Sequence, residues 1–325
     1  MVKNRKFQSK VDYQINVIVK DKMKQILLTG ASGFLGKIIY DKLKSNFTIT
    51  TLGREQVSED HIFFDLKSQD NLICNQNFDT IVHCAGKAHH IPKNKSEANE
   101  FYEINQMGTV NLLNFIDTFE VIPRAFVFIS TVSVYGLNLG IDINENYPLN
   151  SEEPYGRSKI MAEKIIEEWC SANAVVCTIL RLPLVIGNNS VGNLSKMIKG
   201  IKRGYYINID GGKSRKSMVM GEDVAVFIPI VSKIGGTYNL TDGYHPSFIE
   251  LSSYIANKLG RRNPLNITKK LIYILAKIGD VIGDKSPINT LKLHKITSEL
   301  IFNDFKARER ANWNPSLVLE NFNPS

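Results

Sequence analysis

The segment Thr29-Gly30-Ala31-Ser32-Gly33-Phe34-Leu35-Gly36 constrains this chain more than any other. It follows an apolar run, Ile26-Leu27-Leu28, and precedes a helical pattern from Lys37 to Leu43. A strand, a tight glycine turn and a helix in that order make a βα unit of a parallel sheet. Gly30 turns the chain, Gly33 lets the backbone approach a phosphate, and Gly36 lets the helix pack hard on the strand. The helix N-terminus then presents free N–H groups and a positive dipole end to a pyrophosphate. The spacing is G-x-x-G-x-x-G rather than G-x-G-x-x-G. Read together with its strand and helix, it predicts dinucleotide binding at Gly30, Ser32, Gly33, Phe34, Leu35 and Gly36.

A chain of 325 residues holds one large α/β domain with room for a smaller one. Half of its formal charge of +8 sits in residues 1–22, where six lysines and arginines face two aspartates. That segment precedes a natural start at Met23 and reads as an N-terminal extension outside the core, with Val11 to Val19 as an extra edge strand at most. The remaining body is mildly basic, which suits an anionic small molecule rather than nucleic acid. Cys74, Cys84, Cys170 and Cys177 form no C-x-x-C motif and no paired framework. They point to a reducing, cytoplasmic setting and no metal site. Ile15 to Val19 is too short for a signal peptide. The longest apolar stretch, Leu271 to Ile282, contains Lys277 and Asp280 and is too short to span a membrane. Its Leu271, Ile274, Leu275, Ile278 and Val281 recur at helical spacing and predict a packed amphipathic helix.

Phe47 to Leu52 reads as a second strand. It ends in Gly53-Arg54, where a chain selective for an unphosphorylated ribose would place an acid. A guanidinium there favours a ribose 2′-phosphate, hence NADP(H) over NAD(H). His61 to Leu66 reads as a third strand whose Asp65 can accept from an adenine amino group. Thr80 to Gly86 is a buried strand ending in small residues, Cys84, Ala85 and Gly86, over which a cofactor can lie. His83 within it reads as a core histidine with satisfied hydrogen bonds. Asn105 interrupts an apolar helical pattern and needs partners if buried. Phe126 to Thr131 is a central strand ending in hydroxyls. Cys177 to Pro183 is the last strand of the first domain, and Gly187 to Gly212 reads as a loop-rich insertion. Asp223 to Ala225 and Gly236 to Leu240 return to the sheet, and the remainder from residue 247 is mainly helical.

Tyr155 and Lys159 lie one turn apart on a helix whose apolar Met161, Ile165 and Trp169 repeat every four residues. A phenol with a pKa of about 10 is a poor base at neutral pH. A neighbouring ammonium favours the phenolate. A hydroxyl from Thr131 can fix a substrate oxygen while Tyr155 moves the proton at that oxygen and hydride passes at the adjoining carbon.

With the motifs TGASGFLG (29–36), DL (65–66), HCAG (83–86), STVSVYG (130–136), YGRSK (155–159) and RLPLVIG (181–187), the chain resembles the extended short-chain dehydrogenases/reductases of the nucleotide-sugar epimerase/dehydratase type. GN (192–193), RKSMVMGEDVA (215–225) and YNLTDG (238–243) also match in position, so the resemblance covers about residues 23–322. It implies an α/β fold: a Rossmann-type doubly wound parallel sheet over 23–186 with about 218–243, and a smaller, mainly helical substrate domain over 187–217 and 244–325. It implies Thr131, Tyr155 and Lys159 as the catalytic set. Leu66, Asn105 and Pro183 join the cofactor contacts. Lys87, His89, Ser133, Asn193, Arg215 and Lys216 are the expected contacts of a nucleotide-sugar substrate, and the family admits a homodimer.

Departures from the family pattern narrow the chemistry. Sugar-nucleotide 4,6-dehydratases carry an Asp-Glu pair where this chain has Val132 and Ser133, which argues against dehydration. UDP-galactose 4-epimerases usually carry Asp where Gly53 stands. Lys216 occupies the usual arginine place of the phosphate motif, with Arg215 beside it to substitute. The run Lys87-Ala88-His89 is similar to a branch of 4-epimerases and 4-ketoreductases acting on UDP-N-acetylamino sugars. The expected activity is therefore an NADPH-dependent 4-ketoreductase of a nucleotide-linked sugar, with a 4-epimerase holding NAD as the alternative. The intact Thr131, Tyr155 and Lys159 argue against a redox-dead binding module.

Overall fold

The computed structural model describes residues 24–68, 72–88, 92–188, 192–282 and 288–324. The N-terminal extension, with the edge strand read at Val11 to Val19, and His89 lie outside the described residues. Seven strands form the main sheet: β1 (Gln25–Thr29), β2 (Thr48–Gly53), β3 (His61–Phe63), β4 (Thr80–His83), β5 (Ala125–Thr131), β6 (Val176–Leu182) and β7 (Gly236–Asn239). Their spatial order is β3-β2-β1-β4-β5-β6-β7 and every pairing is parallel. The order reverses between β1 and β4, which opens a crevice at the carboxyl ends of those two strands.

Both faces of the sheet are buried, so the strands read as continuous apolar runs and alternate between two cores. Ile26, Leu28, Val82, Val127, Ile129 and Leu180 point to one side, against the helices Phe34–Leu43 (α1) and Gly221–Val231. Leu27, Ile81, Phe126, Phe128 and Ile179 point to the other, against Gly108–Ile116 and Pro154–Ala172 (α2). A π-helical turn, Tyr102–Met107, joins the helix Lys95–Phe101 to Gly108–Ile116.

Several elements differ from their reading in the sequence. The third strand stops at Phe63, and Asp65 caps a turn instead, its Oδ1 accepting from the Lys67 N–H at 3.0 Å. The fourth stops at His83, so Cys84, Ala85 and Gly86 form its exit loop. The supposed insertion from Gly187 to Gly212 holds the helix Gly192–Arg203 (α3) and the strand Ile207–Ile209. Leu194, Met197 and Ile201 form its buried stripe, diluted in sequence by four interspersed basic residues. Asp223 to Ala225 lie in a helix, and the strand before it, Met218–Met220, pairs with Leu184–Ile186 outside the main sheet. Cys170 and Cys177 hydrogen-bond thiol to thiol, a pairing that their spacing does not announce.

Two helices bury faces other than the ones their apolar repeats mark. In α2 the buried positions are Gly156, Ser158, Lys159, Ala162, Glu163, Ile166 and Cys170, whereas Met161, Ile165 and Trp169 are half-buried. The core stripe is rotated because this helix buries charges as well as apolar groups. The helix Lys269–Ile282 (α4) buries Ile272, Ala276 and Gly279, while the predicted packing residues Leu271, Ile274, Leu275, Ile278 and Val281 are exposed. Among the described residues no helix is long and apolar enough to cross a membrane.

The buried charge on α2 is matched across the sheet. Glu163 and Arg181 of β6 form an ion pair at 2.7 Å with side chains 2% and 6% exposed. Ser130 of β5 donates to the same carboxylate. Arg181 Nη1 donates to the Tyr135 hydroxyl at 3.1 Å, which donates to Asn239 of β7 at 2.8 Å. Removing one member leaves the other charge unpaired in the core. Glu163→Ala should therefore lower unfolding free energy by about 3–5 kcal/mol. Urea denaturation reads this directly, and a loss below about 1 kcal/mol would put the pair in the class of surface bridges.

Candidate active site

The crevice at the β1 and β4 exits is built by close backbone approach. Gly30 has φ +75°, and a Cβ added there would lie 2.6 Å from the Ala85 nitrogen. A Cβ at Gly36 would lie 2.0 Å from the Gly30 carbonyl oxygen. The turn after β1 is thus locked against both its own helix and the exit of β4. Gly33 is the N-cap of α1 in extended conformation, with no side chain capping the helix. The first-turn N–H groups therefore remain available to an anion. Ser32 is exposed beside them, and Phe34 and Leu35 are half-buried. A cradle that a single Cβ would fill, next to an uncapped helix N-terminus, fits a dinucleotide pyrophosphate.

Around this cradle, Arg54 is exposed just past the end of β2, and the space beside Gly53 is open. Leu66 is half-buried and its carbonyl accepts from Asn111. Thr29 receives a hydrogen bond from the Ala85 N–H at 3.1 Å and bonds His83 Nδ1 at 2.7 Å. His83 Nε2 meets Thr109 at 3.1 Å. Burial lowers the His83 pKa to about 3, with Lys159 adding to the effect, so it is a neutral structural residue. Burial likewise raises the Cys84 thiol to about 12. Asn105 has its partners. It accepts from the Lys87 N–H at 2.7 Å and donates to the Lys87 carbonyl and the Ser158 hydroxyl.

The three residues expected to carry the chemistry converge. Tyr155 and Lys159 share a face at the start of α2, and Thr131 ends β5. Lys159 Nζ donates to the Ile129 carbonyl at 2.9 Å and lies 4.3 Å from the Phe128 ring centroid. Burial lowers its pKa to about 8, opposed by Cys84 and Glu163. Burial raises the Tyr155 phenol, and a hydrogen bond with Thr131 works against that rise. Thr131 also donates to the exposed Ser133 hydroxyl at 3.2 Å. Burial thus moves the two groups in opposite directions, the phenol up and the ammonium down, one helical turn apart on α2.

The expected substrate contacts are more scattered. Lys87 is paired with Glu100 and lies over the Phe101 ring. Asn193 is exposed in the first turn of α3, and Pro183 is half-buried just after β6. Arg215 donates to Glu299 at 2.6 Å. Lys216 Nζ donates to the Lys295 carbonyl at 3.2 Å, and burial lowers its pKa to about 8. Lys295 in turn reaches Glu153, the residue before α2, at 2.8 Å. Residues that the sequence reading passed over include Ser158, which orients Asn105, and Thr109, which holds His83. Among the described residues no group of three or more His, Cys, Asp or Glu is arranged to hold a metal.

Residues 26–240 match the NAD dependent epimerase/dehydratase family. The chain belongs to that family. It is an NAD-dependent enzyme of the extended short-chain type. Among its relatives, the N-acetyl-alpha-D-glucosaminyl-diphospho-ditrans,octacis-undecaprenol 4-epimerase of Escherichia coli O157:H7 is 26% identical over 301 residues, 86% of this chain and 88% of that protein. The UDP-glucose 4-epimerase of Vibrio cholerae is 25% identical over 312 residues, 91% of this chain and 92% of that one. Among solved structures, a UDP-glucose 4-epimerase with UDP-glucose from Thermotoga maritima aligns with a TM-score of 0.70 at 19% identity, covering 92% of this chain and 96% of that one. RMD from Pseudomonas aeruginosa complexed with NADPH aligns with a TM-score of 0.70 at 19% identity, covering 93% and 97%. These structures share the fold.

Two predictions follow from the geometry of this family member. In the unfolded chain Lys159 regains an ordinary lysine pKa near 10.5, while in the fold it is about 8. Between those values the unfolded chain holds more protons, so this residue makes stability rise with pH across that window. Urea midpoints measured through the window should flatten for Lys159→Met; an unchanged slope would show that the ammonium is not held out of water. Arg54→Ala should weaken binding of NADP(H) by about tenfold or more, the loss of one charge-assisted hydrogen bond. Binding of NAD(H) should be unaltered, and equal losses in calorimetry would remove Arg54 from any role at a 2′-phosphate.

Proposed function

We propose that this enzyme is a 4-epimerase of sugars carried on a diphosphate, with UDP-hexoses or UDP-N-acetylhexosamines as its substrate class. The observation that carries the reading is the meeting of Thr131, Tyr155 and buried Lys159 beside the cofactor cradle, in a chain whose near-full-length relatives are named 4-epimerases. The sequence alone leaned toward a 4-ketoreductase. That preference rested on Gly53-Arg54, which bears on the cofactor and not on whether the reduced sugar leaves at the opposite configuration. The same three side chains serve both reactions, and the relatives favour epimerisation.

Bound in the cradle, a nicotinamide supplies the acceptor for hydride from C4 and its donor on return. The protein's share is the proton and the geometry. Tyr155 takes the proton of the C4 hydroxyl as that carbon is oxidised and gives it back to the C4 oxygen after the sugar has presented its other face. Thr131 holds that oxygen, and the Lys159 ammonium stabilises the phenolate. Val132 and Ser133 provide no acid–base pair for removing water. In this reading residues 23–186 with about 218–243 carry the cofactor, and 187–217 with 244–325 carry the substrate diphosphate. Asn193, Arg215 and Lys216 supply donors and charge to it. Arg215 would exchange its Glu299 partner for a phosphate. The relative named for a diphospho-undecaprenol-linked sugar supports a second reading, in which the diphosphate is carried by a polyprenol.

Incubating the purified enzyme with UDP-glucose and UDP-N-acetylglucosamine, and following C4 configuration by proton NMR, tests the proposal. Epimers should form without added reductant. Stoichiometric reduction of added NADP+ to NADPH without epimer formation, the ketoreductase reaction run from its alcohol side, would return the assignment to a ketoreductase. Tyr155→Phe should retain cofactor and lose about 10²–10⁴-fold in turnover; turnover within about threefold of the wild type would exclude Tyr155 as the proton carrier.

A further inference from the structure

Helix α4 carries an apolar face that the described fold leaves uncovered. Ile272, Ala276 and Gly279 are its buried positions, and the first two pack in a small cluster with Leu293, Ile209, Ile267 and Ile288. At about 100° per residue these three fall within a sector of roughly 60°. The exposed Leu271, Ile274, Leu275, Ile278, Val281 and Ile282 fall together in an adjacent sector of roughly 120°. Val281 is 89% exposed and Ile274 60%. Lys270 and Lys277 come next around the helix, at the far edge of that apolar sector. Core, bare apolar surface and cationic edge therefore follow one another around a single helix.

Charge decides among occupants for this face. From Lys258 to Ile296 the sequence carries nine lysines and arginines against two aspartates, a local cationic excess. A second copy of this chain would bring the same cations face to face. An anionic lipid surface would neutralise them while its acyl boundary received the leucines and isoleucines. We propose that α4 lies in the interfacial plane of an anionic bilayer and docks the enzyme on it without spanning it. This surface is distinct from the epimerase site, and the proposal does not rest on the reaction assigned there.

The docking helix is mechanically close to that site. Asp280 of α4 accepts from both the backbone N–H and the hydroxyl of Thr290, the first residue of the helix Thr290–Thr297 (α5). α5 receives Lys216 at its Lys295 carbonyl and Ser214 at its Ile296 carbonyl. Its Lys295 side chain reaches Glu153, next to the start of α2. A bilayer held by α4 would thus lie against the same small unit that carries Arg215 and Lys216.

Vesicle co-sedimentation of the full-length protein tests the proposal, comparing phosphatidylcholine alone with phosphatidylcholine mixed with phosphatidylglycerol. The protein should pellet with the mixed vesicles, and added salt should release it. Ile274→Glu with Ile278→Glu, and separately Lys270→Glu with Lys277→Glu, should each weaken partitioning by about tenfold or more. Thermal midpoints and cofactor binding should stay at wild-type values, since none of the four residues is buried or in the site. A wild type that stays in the supernatant at low salt, or variants that pellet equally well, would overturn the assignment. So would a change from dimer to monomer in light scattering for the Ile274/Ile278 variant with vesicle binding intact, because the face would then cover a second copy.

Discussion

A positive charge shut away from water at the end of a parallel sheet governs how this molecule is put together. Lys159 is held by the Ile129 carbonyl and the Phe128 ring, so its helix must sit in one register on β5. That register sets Tyr155 one turn earlier against Thr131. It also sets Glu163 one turn later against Ser130 and Arg181. A single helix therefore carries a buried ammonium near one end of its buried stripe and a structural ion pair further along. Apolar packing supplies most of the attraction between helix and sheet, but it tolerates small rotations. The buried polar partners do not, because a misplaced charge in the core has nowhere to go.

Much of the cofactor half was legible from residue types. A strand, three spaced glycines and a helix allow few local arrangements, and the clash of any Cβ at Gly30 or Gly36 with backbone shows why. His83 was readable as a core residue because a polar group within an apolar strand must find partners, and Thr29 and Thr109 provide them. The apolar repeat Met161, Ile165 and Trp169 marks α2 as a helix but not its inner face, which includes Ser158, Lys159 and Glu163. Periodicity weighs apolar residues and does not register a charge whose partner, Arg181, lies on a distant strand. The helix Gly192–Arg203 was missed for a related reason, its few apolar positions being diluted by lysines and glycine. In α4 the period was right and the destination wrong: a 3.6-residue repeat shows that a helix has an apolar side, not what covers that side.

The pairing of Arg215 and Lys216 was the least legible part. Arg215 and Lys216 were recognisable as cations in a turn, yet Glu299 and the carbonyl of Lys295 hold them from the far end of the chain. Such partners are separated by more than eighty positions or nearly so, and no local pattern connects them. The same contacts join Glu153, Lys216 and Lys295 into one clasp, so the C-terminal helices are fastened to the strand that leads toward the sheet and to the root of α2 at once.

The π-helical turn at Tyr102–Met107 has a consequence for how this chain can change over generations. A π turn holds one more residue than the α turn it replaces, so the helix on either side of it is offset in phase. Asn105 sits within that turn, facing Lys87 and Ser158, and its carbonyl accepts from Thr109 at 2.6 Å, the residue that also steadies His83. Loss of a single codon here would let the turn relax to ordinary pitch and swing Asn105 away from the loop it braces. Length, and not only residue identity, is thus under constraint in this helix, whereas a surface loop of the same protein could gain or lose a residue at little cost.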